Sequence, residues 1–156
     1  RLKFEEVANN EINRAGRYDL PLSLIFLDID RFKLINDQHG HEVGDAVLSG
    51  VAHRLKAQLR DSDSLCRWGG EEFVILMPHT DLDHACAIAE KLRALLAATP
   101  VAEGIDVSAS FGVAQWQAGQ SLRELVHRAD QMLYRAKQLG RNRVECFTPG
   151  KHLPQA

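Results

Sequence analysis

Asp28 and Asp30 directly follow the apolar run Leu22–Leu27. At i and i+2 of an extended chain both carboxylates point to one face. Charges at the end of a buried strand are costly unless something positive neutralises them. The alternative is that both are solvated at the strand's exit and one caps the next helix. A second acid pair, Glu71-Glu72, follows Gly69-Gly70 in a tight turn between two apolar arms. Surface hairpins also carry acids at such places. If the hairpin lies beside the first strand, its tip brings a Glu next to Asp28. Hard oxygen donors from two strands suit Mg²⁺, which completes its shell with water and phosphate oxygens. Arg31-Phe32-Lys33 comes right after the first acids and opens a helix, whose first amides are ready anion donors. Lys137 and Arg141 lie four apart around a helix C-terminus, where the helix dipole alone would favour them. Acids for a metal with amides and basic side chains for phosphate describe a nucleoside-triphosphate site. No Gly-x-x-x-x-Gly-Lys-Ser/Thr segment is present, so the chain is not a P-loop enzyme.

These groups need elements to hold them. Phe4, Val7, Ala8, Ile12 and Ala15 recur at helical spacing, which predicts a helix over Phe4–Arg17. Tyr18-Asp19-Leu20-Pro21 breaks it. Leu22–Leu27 reads as a buried central strand. A short helix is expected over Phe32–Asn36, then a loop bracketed by Gly40 and Gly44. A long helix follows over Asp45–Leu59, with Val47, Leu48, Val51, Leu55 and Leu59 inward. Leu65–Trp68 and Phe73–Met77 form a hairpin, its paired glycines free to take positive φ. Thr80 with Asp83 predicts a helix start, and that helix runs to about Ala98 before Pro100. Val107–Val113 alternates as a strand. Ser121 and Glu124 form a capping box for a helix ending at Leu139-Gly140. Val144–Phe147 is the last strand and Lys151–Ala156 a tail. Helices and strands alternate but for one hairpin. That excludes a purely parallel doubly wound sheet and favours an α+β sandwich with a mixed or antiparallel sheet.

Composition narrows the partners. The 156 residues predict one domain with a single sizeable core. A net charge of −2 leaves no basic excess to attract nucleic acid or an anionic membrane, so phosphate must be met by a local site. The first residues lead into no apolar signal segment, and Leu22–Leu27 is far shorter than the roughly 20 residues of a membrane span. The chain does not begin with Met, which points to a fragment of a longer protein. Cys66, Cys86 and Cys146 are scattered and odd in number. They are expected as three partly buried thiols in a reducing cytoplasm, not as a disulfide framework or zinc site.

Four blocks then carry a resemblance: Asp28–Asp37; His39-Gly40-His41 with Gly44-Asp45; Arg67-Trp68-Gly69-Gly70-Glu71-Glu72-Phe73; and Ala129-Asp130, Leu133-Tyr134, Ala136-Lys137 with Gly140–Arg143. In order and spacing the chain resembles the GGDEF family of diguanylate cyclases from Leu2 to Phe147. The family's usual Asp-x-Leu-Thr-Gly-Leu-x-Asn-Arg lead-in is missing, with Arg1 standing as its end. The resemblance implies an α+β fold like a nucleotidyl cyclase or polymerase palm. That is a ferredoxin-like, mostly antiparallel central sheet flanked by helices, with a Gly-Gly-Glu-Glu β-hairpin. It implies one domain over residues 1–156, the C-terminal part of a longer sensor protein with an upstream sensory or receiver domain. The location implied is cytoplasmic, with any tether to the inner membrane lying upstream.

The implied reaction condenses two GTP into cyclic di-GMP and pyrophosphate in a homodimer. Mg²⁺, or Mn²⁺ in its place, would be held by the Asp28 and Glu71 carboxylates and the Ile29 carbonyl. Glu71 is the candidate base and Lys33 the residue that stabilises phosphate charge. Substrate contacts fall to Phe32, Asn36, His41, Asp45, Lys137 and Arg141. Asn36 and Asp45 read the guanine edge, because a carboxylate accepts from both guanine N1–H and N2–H. A buried carboxylate at 45 would be left unpaired by adenine. Arg60 and Asp63, with five residues between Asp63 and Gly69, match the family's product-inhibition motif, with Arg93 of a second domain completing the cyclic di-GMP patch. A helix-to-strand loop can also hold such a pair for solubility alone. Other readings are a degenerate module that binds GTP or cyclic di-GMP without turnover, and a cyclase with a mononucleotide or mixed dinucleotide product. The intact Gly69-Gly70-Glu71-Glu72 turn and Asp28 speak against the first, and Asp45 against the second.

Overall fold

The computed structural model describes residues 1–102 and 104–149. Lys151–Ala156, expected as a tail, lies outside them. The elements are α1 (Leu2–Tyr18), β1 (Leu22–Ile29), α2 (Phe32–His39), α3 (His41–Lys56), β2 (Ser64–Arg67), β3 (Glu72–Pro78), α4 (Leu82–Ala98), β4 (Ala109–Gln115), α5 (Leu122–Gln138) and β5 (Val144–Cys146). The sheet order is β2-β3-β1-β4-β5. All neighbours are antiparallel except β4 and β5. The stretch from β1 to β4 is a βαββαβ unit with β1 and β3 central, which is the ferredoxin-like arrangement that the family resemblance implied.

β1 is buried along its full length because it is paired on both sides and covered on both faces, hence its near-continuous apolar sequence. Leu22, Leu24 and Phe26 face a layer of α1 and α5, with Phe4, Ala8, Leu125, Ala129 and Leu133. Ile25, Leu27 and Ile29 face the layer of α3 and α4, with Val47, Val51, Ala89 and Leu92. Ser23 is the exception in the run, and its hydroxyl donates to the Thr80 carbonyl at 2.8 Å. The α5 layer lies unusually close to the sheet. A Cβ on Gly112 of β4 would collide with the Ala129 carbonyl and the Leu133 amide. Backbone cannot step aside as a side-chain tip can. Gly112→Ala is therefore expected to destabilise the protein by about 3 kcal/mol or more, read as a lowered denaturation midpoint. An unchanged midpoint would show that α5 shifts freely on the sheet.

Several sequence expectations need correction. β1 runs two residues further than Leu27, so Asp28 is a strand residue and only Asp30 lies beyond it. β4 begins at Ala109, not Val107. Gly44 is not in a loop but inside α3, which starts at His41. Its role is space, since a Cβ there would strike the Asn36 side chain and crowd Phe32. The α2–α3 corner instead turns at Gly40, whose φ of 89° suits glycine. Gly69 and Gly70 do not adopt positive φ. Gly69 leaves room for the Glu72 carboxylate, and a Cβ on Gly70 would meet nothing within 4 Å. Asp81, not Thr80, caps α4 by accepting the His84 amide at 2.9 Å. The Ser121–Glu124 capping box is present, both reciprocal bonds included. The cysteines are not three thiols. Cys86 of α4 and Cys146 of β5 form a disulfide, with Cα atoms 6.4 Å apart, and Cys66 alone is free and buried. The pairing arises because β5 joins the sheet parallel to β4 through the α5 crossover, under α4, a placement no cysteine spacing could signal.

Candidate active site

The hairpin lies beside β1 as the sequence argument required. Asp28 pairs with Glu72 of β3 on one side and with Ser110 of β4 on the other. The Ile29 amide donates to the Glu71 carbonyl at 3.3 Å, which fixes the turn against the end of β1. Arg67 braces the turn from within, donating to the Gly70 carbonyl from Nη2 at 2.6 Å and from Nε at 3.1 Å. Arg1 stacks 3.5 Å from the Trp68 ring centroid and donates to the Trp68 carbonyl. Phe4 meets the same ring edge-on. Sequence reasoning missed both braces, although an Arg two residues before a Gly-Gly turn is the kind of signal that could have suggested the first.

Asp28 is only 4% exposed. Its Oδ2 accepts from Lys137 Nζ of α5 at 2.5 Å, while its Oδ1 is buried without a hydrogen-bond partner among the described residues. Burial first, then the charge of the neighbouring Asp28 carboxylate, pushes the Glu71 carboxyl up to about 7. Burial and Asp28 also raise Glu72. Three acids crowded at one strand end, with one carboxylate oxygen orphaned, form a site short of positive charge. Among the described residues no three His, Cys, Asp or Glu side chains group as a metal cage. Two carboxylates and a strand carbonyl are nevertheless the hard, incomplete donor set that a Mg²⁺ shared with phosphate uses. The residues fit such an ion.

The other candidate residues lie on α2, on α3 and in the turn after α5. Arg31 takes a left-handed conformation, φ 55°, and turns the chain into α2 with no side-chain cap. The first bond at that helix start is Ile35 N–H to the Arg31 carbonyl. The preceding amides of Phe32, Lys33 and Leu34 therefore have no partner within the helix. The Phe32 side chain is core, packed against α3, so only its backbone is placed to touch a ligand. Lys33, His41, Asp45 and Arg141 are exposed. For Asp45 this corrects the expectation of a buried carboxylate: it lies on the solvent side of the fifth residue of α3. Asn36 is half-buried against Gly44 with its Oδ1 unpartnered. A groove of about 1020 Å³ runs along α3 from Asp45 past Arg67 to Arg60 and Asp63.

Arg60 and Asp63 are not brought to the acid pair. Asp63 Oδ1 accepts from Arg60 Nη2 at 2.8 Å, and its Oδ2 accepts the Arg60 amide at 2.9 Å. The same Arg60 Nη2 donates to the Pro78 carbonyl and the Thr80 hydroxyl. Pro78 ends β3, about 20 Å of strand from the turn. Hydrogen bonding to Asp63 holds the Arg60 guanidinium pKa above its ordinary value. The Asp63 side chain is 1% exposed against 51% for Arg60, so Arg60 alone presents a free edge. Arg93 sits on α4, held by Glu90 and by Asn142.

Residues 1–143 match the family described as "Diguanylate cyclase, GGDEF domain". The chain is similar to the diguanylate cyclase DgcM of Escherichia coli K12, 47% identical over 122 residues, 78% of this chain and 30% of that protein's length. It thus spans less than a third of that relative. In structure it is similar to the active GGEEF domain of a diguanylate cyclase from Vibrio cholerae, at TM-score 0.90 and 36% identity, covering 96% of this chain and 97% of that one. It is also similar to the GGDEF domain of DgcB from Caulobacter crescentus in complex with c-di-GMP, at TM-score 0.88 and 29% identity, covering 94% and 86%.

Proposed function

The chain belongs to the GGDEF family of diguanylate cyclases, and we propose that it condenses two GTP into cyclic di-GMP, releasing two pyrophosphates. The observation that supports this most is the meeting of the orphaned Asp28 oxygen with Glu71 at the Gly69–Glu72 turn. Mg²⁺, or Mn²⁺ in its place, held by Asp28, Glu71 and the Ile29 carbonyl, would supply Lewis acidity toward the α-phosphate and the attacking hydroxyl.

The chain's own residues do the rest. The Phe32 and Lys33 amides donate to phosphate oxygens at the helix start. Lys33 offsets charge on the phosphoryl group in flight. Lys137 and Arg141 hold the triphosphate tail, Arg141 with its planar fork. Asn36 and the Asp45 carboxylate read the guanine edge, with His41 nearby on the substrate. The ribose 3′-oxygen bonds to the α-phosphorus of the other GTP, and the α–β bridging bond breaks with its electrons leaving on pyrophosphate. The hydroxyl proton goes to the Glu71 carboxylate. One site holds one GTP, so two chains paired by a two-fold axis form both bonds. An upstream receiver or sensory segment would control that pairing, and GTP supply places the reaction in the cytoplasm. The test is conversion of GTP with Mg²⁺ and its loss on chelation, the product being identified by co-migration with authentic cyclic di-GMP.

Guanine selection should rest on Asp45. A serine hydroxyl cannot accept from two donors at once, so Asp45→Ser is expected to lower the GTP-over-ATP preference about 10- to 100-fold, the ~1.5–3 kcal/mol of a charged hydrogen bond. Competition between the two nucleotides measures it. An unchanged preference would make Asp45 only an acid favoured near the α3 N-terminus.

Product inhibition is proposed to act through Arg60, with Asp63 setting its angle and Arg93 of a second chain as partner. The free edge of Arg60 can grip a phosphate or guanine O6/N7. Arg60→Ala is expected to raise the cyclic di-GMP inhibition constant by about tenfold or more and to keep turnover, since the site is a strand's length from the acids. Initial rates against added product check it. Identical inhibition of both proteins would place the inhibitor in the substrate site instead.

A further inference from the structure

Asp30 takes no part in the cation site described above, yet it is 9% exposed and fully engaged. Its Oδ1 accepts the Ser110 hydroxyl and its Oδ2 the Ser108 hydroxyl, both at 2.6 Å. The Oδ2 also accepts the Asn142 amide at 3.0 Å. That amide belongs to an unusual turn. Gly140, Arg141 and Asn142 are three successive residues at positive φ, 121°, 65° and 46°. Glycine tolerates this and Asn adopts it readily, whereas Arg does so only where the surroundings over-determine it. The turn is tied at its start by Arg141 N–H to the Ala136 carbonyl at 3.0 Å. At its end the Asp30 carboxylate takes the Asn142 amide. From outside, Arg93 Nη1 donates to Asn142 Oδ1 at 2.9 Å.

We infer that Asp30 is a positioning residue that presets Arg141 for the terminal phosphates of GTP, with the Arg93–Asn142 bond as an outer brace. The inference rests on the triphosphate role proposed for Arg141. An arginine on a loose turn loses backbone freedom when it grips phosphate, and a turn fixed in advance has already lost it. Removing the Asp30 charge would, by Coulomb's law alone, strengthen binding of a polyanion. Loosening the turn weakens it. The sign of the effect therefore separates the two.

The experiment compares binding of 3′-deoxy-GTP, which lacks the attacking hydroxyl, with binding of GMP, which lacks the phosphates Arg141 would hold. Wild type is expected to prefer the triphosphate by more than tenfold. Asp30→Asn should reduce that preference five- to tenfold and leave GMP affinity within twofold. In an Arg141→Ala background it should reduce it no further. Equal loss of both ligands would show a merely structural role and overturn the proposal. A preference kept in full, or a loss additive with Arg141→Ala, would overturn it as well. If Asp30→Asn does not fold, Arg93→Ala removes the outer brace and leaves Asp30 in place; measured without cyclic di-GMP, it is expected to cost two- to threefold of the preference, no loss being the contrary result. A wild type that binds both ligands equally would overturn the triphosphate reading of Arg141 itself, and the proposal with it.

Discussion

Glu71→Gln is expected to lower cyclic di-GMP formation at least a thousandfold while the protein stays folded. The amide keeps the size of the side chain but loses the charge that a hard cation and a proton both need. Several kcal/mol of transition-state stabilisation go with it, about one tenfold step in rate per 1.4 kcal/mol. The fold has no reason to suffer. The residue's structural bond is made by its backbone carbonyl to the Ile29 amide, and that bond survives. Without metal the variant should melt at the same temperature or higher, because burial and the Asp28 charge disfavour the native carboxylate. Pyrophosphate release and a thermal melt are the two measurements. Turnover near the wild-type rate in a folded variant would remove Glu71 from the chemistry.

Turnover per chain is expected to rise with protein concentration. On the proposed reaction each half-site uses one Asp28, one Glu71 and one Asn36, and the sequence does not repeat them, so a second chain would bring the second GTP. Below the association midpoint mass action makes the paired fraction proportional to concentration. A tenfold dilution should then cost about tenfold in specific activity. Sedimentation at the same concentrations identifies the monomer range. Specific activity that stays flat well inside that range would mean that one chain completes both bonds.

The parts legible in the sequence were those whose physics is local. Leu22–Leu27 announces a central strand because burial on both faces demands a continuous apolar run. Ser121 and Glu124 announce a helix start because the reciprocal bonds need only three residues. The meeting of the Gly69–Glu72 turn with Asp28 was legible only as a condition, that the hairpin pairs with the first strand, and β3 does pair with β1. What remained hidden depends on distant partners. Asp28 looked like the residue after a strand because an acid rarely stays paired within one, and only Lys137, 109 positions away, makes it tolerable. Gly44 looked like a loop because its reason is a neighbouring helix. Asp63 looked like a free ligand because its partner Arg60 is anchored by Pro78 and Thr80, 18 and 20 positions further on. Asp45 was expected to be buried on the strength of its chemistry, and an exposed helix position reverses that. The Cys86–Cys146 pair needed the parallel docking of β5. The Asp30 anchor needed residues from β4 and from the turn after α5.

The central claim is that this site joins two guanine nucleotides to each other. The most direct measurement is the mass of the product formed from an equimolar mixture of GTP and ATP with Mg²⁺. Cyclic di-GMP with two equivalents of pyrophosphate, and no adenine-containing product, is the predicted result. A cyclic mononucleotide, a mixed dinucleotide, or bound nucleotide recovered unchanged from a folded, dimeric protein would contradict it.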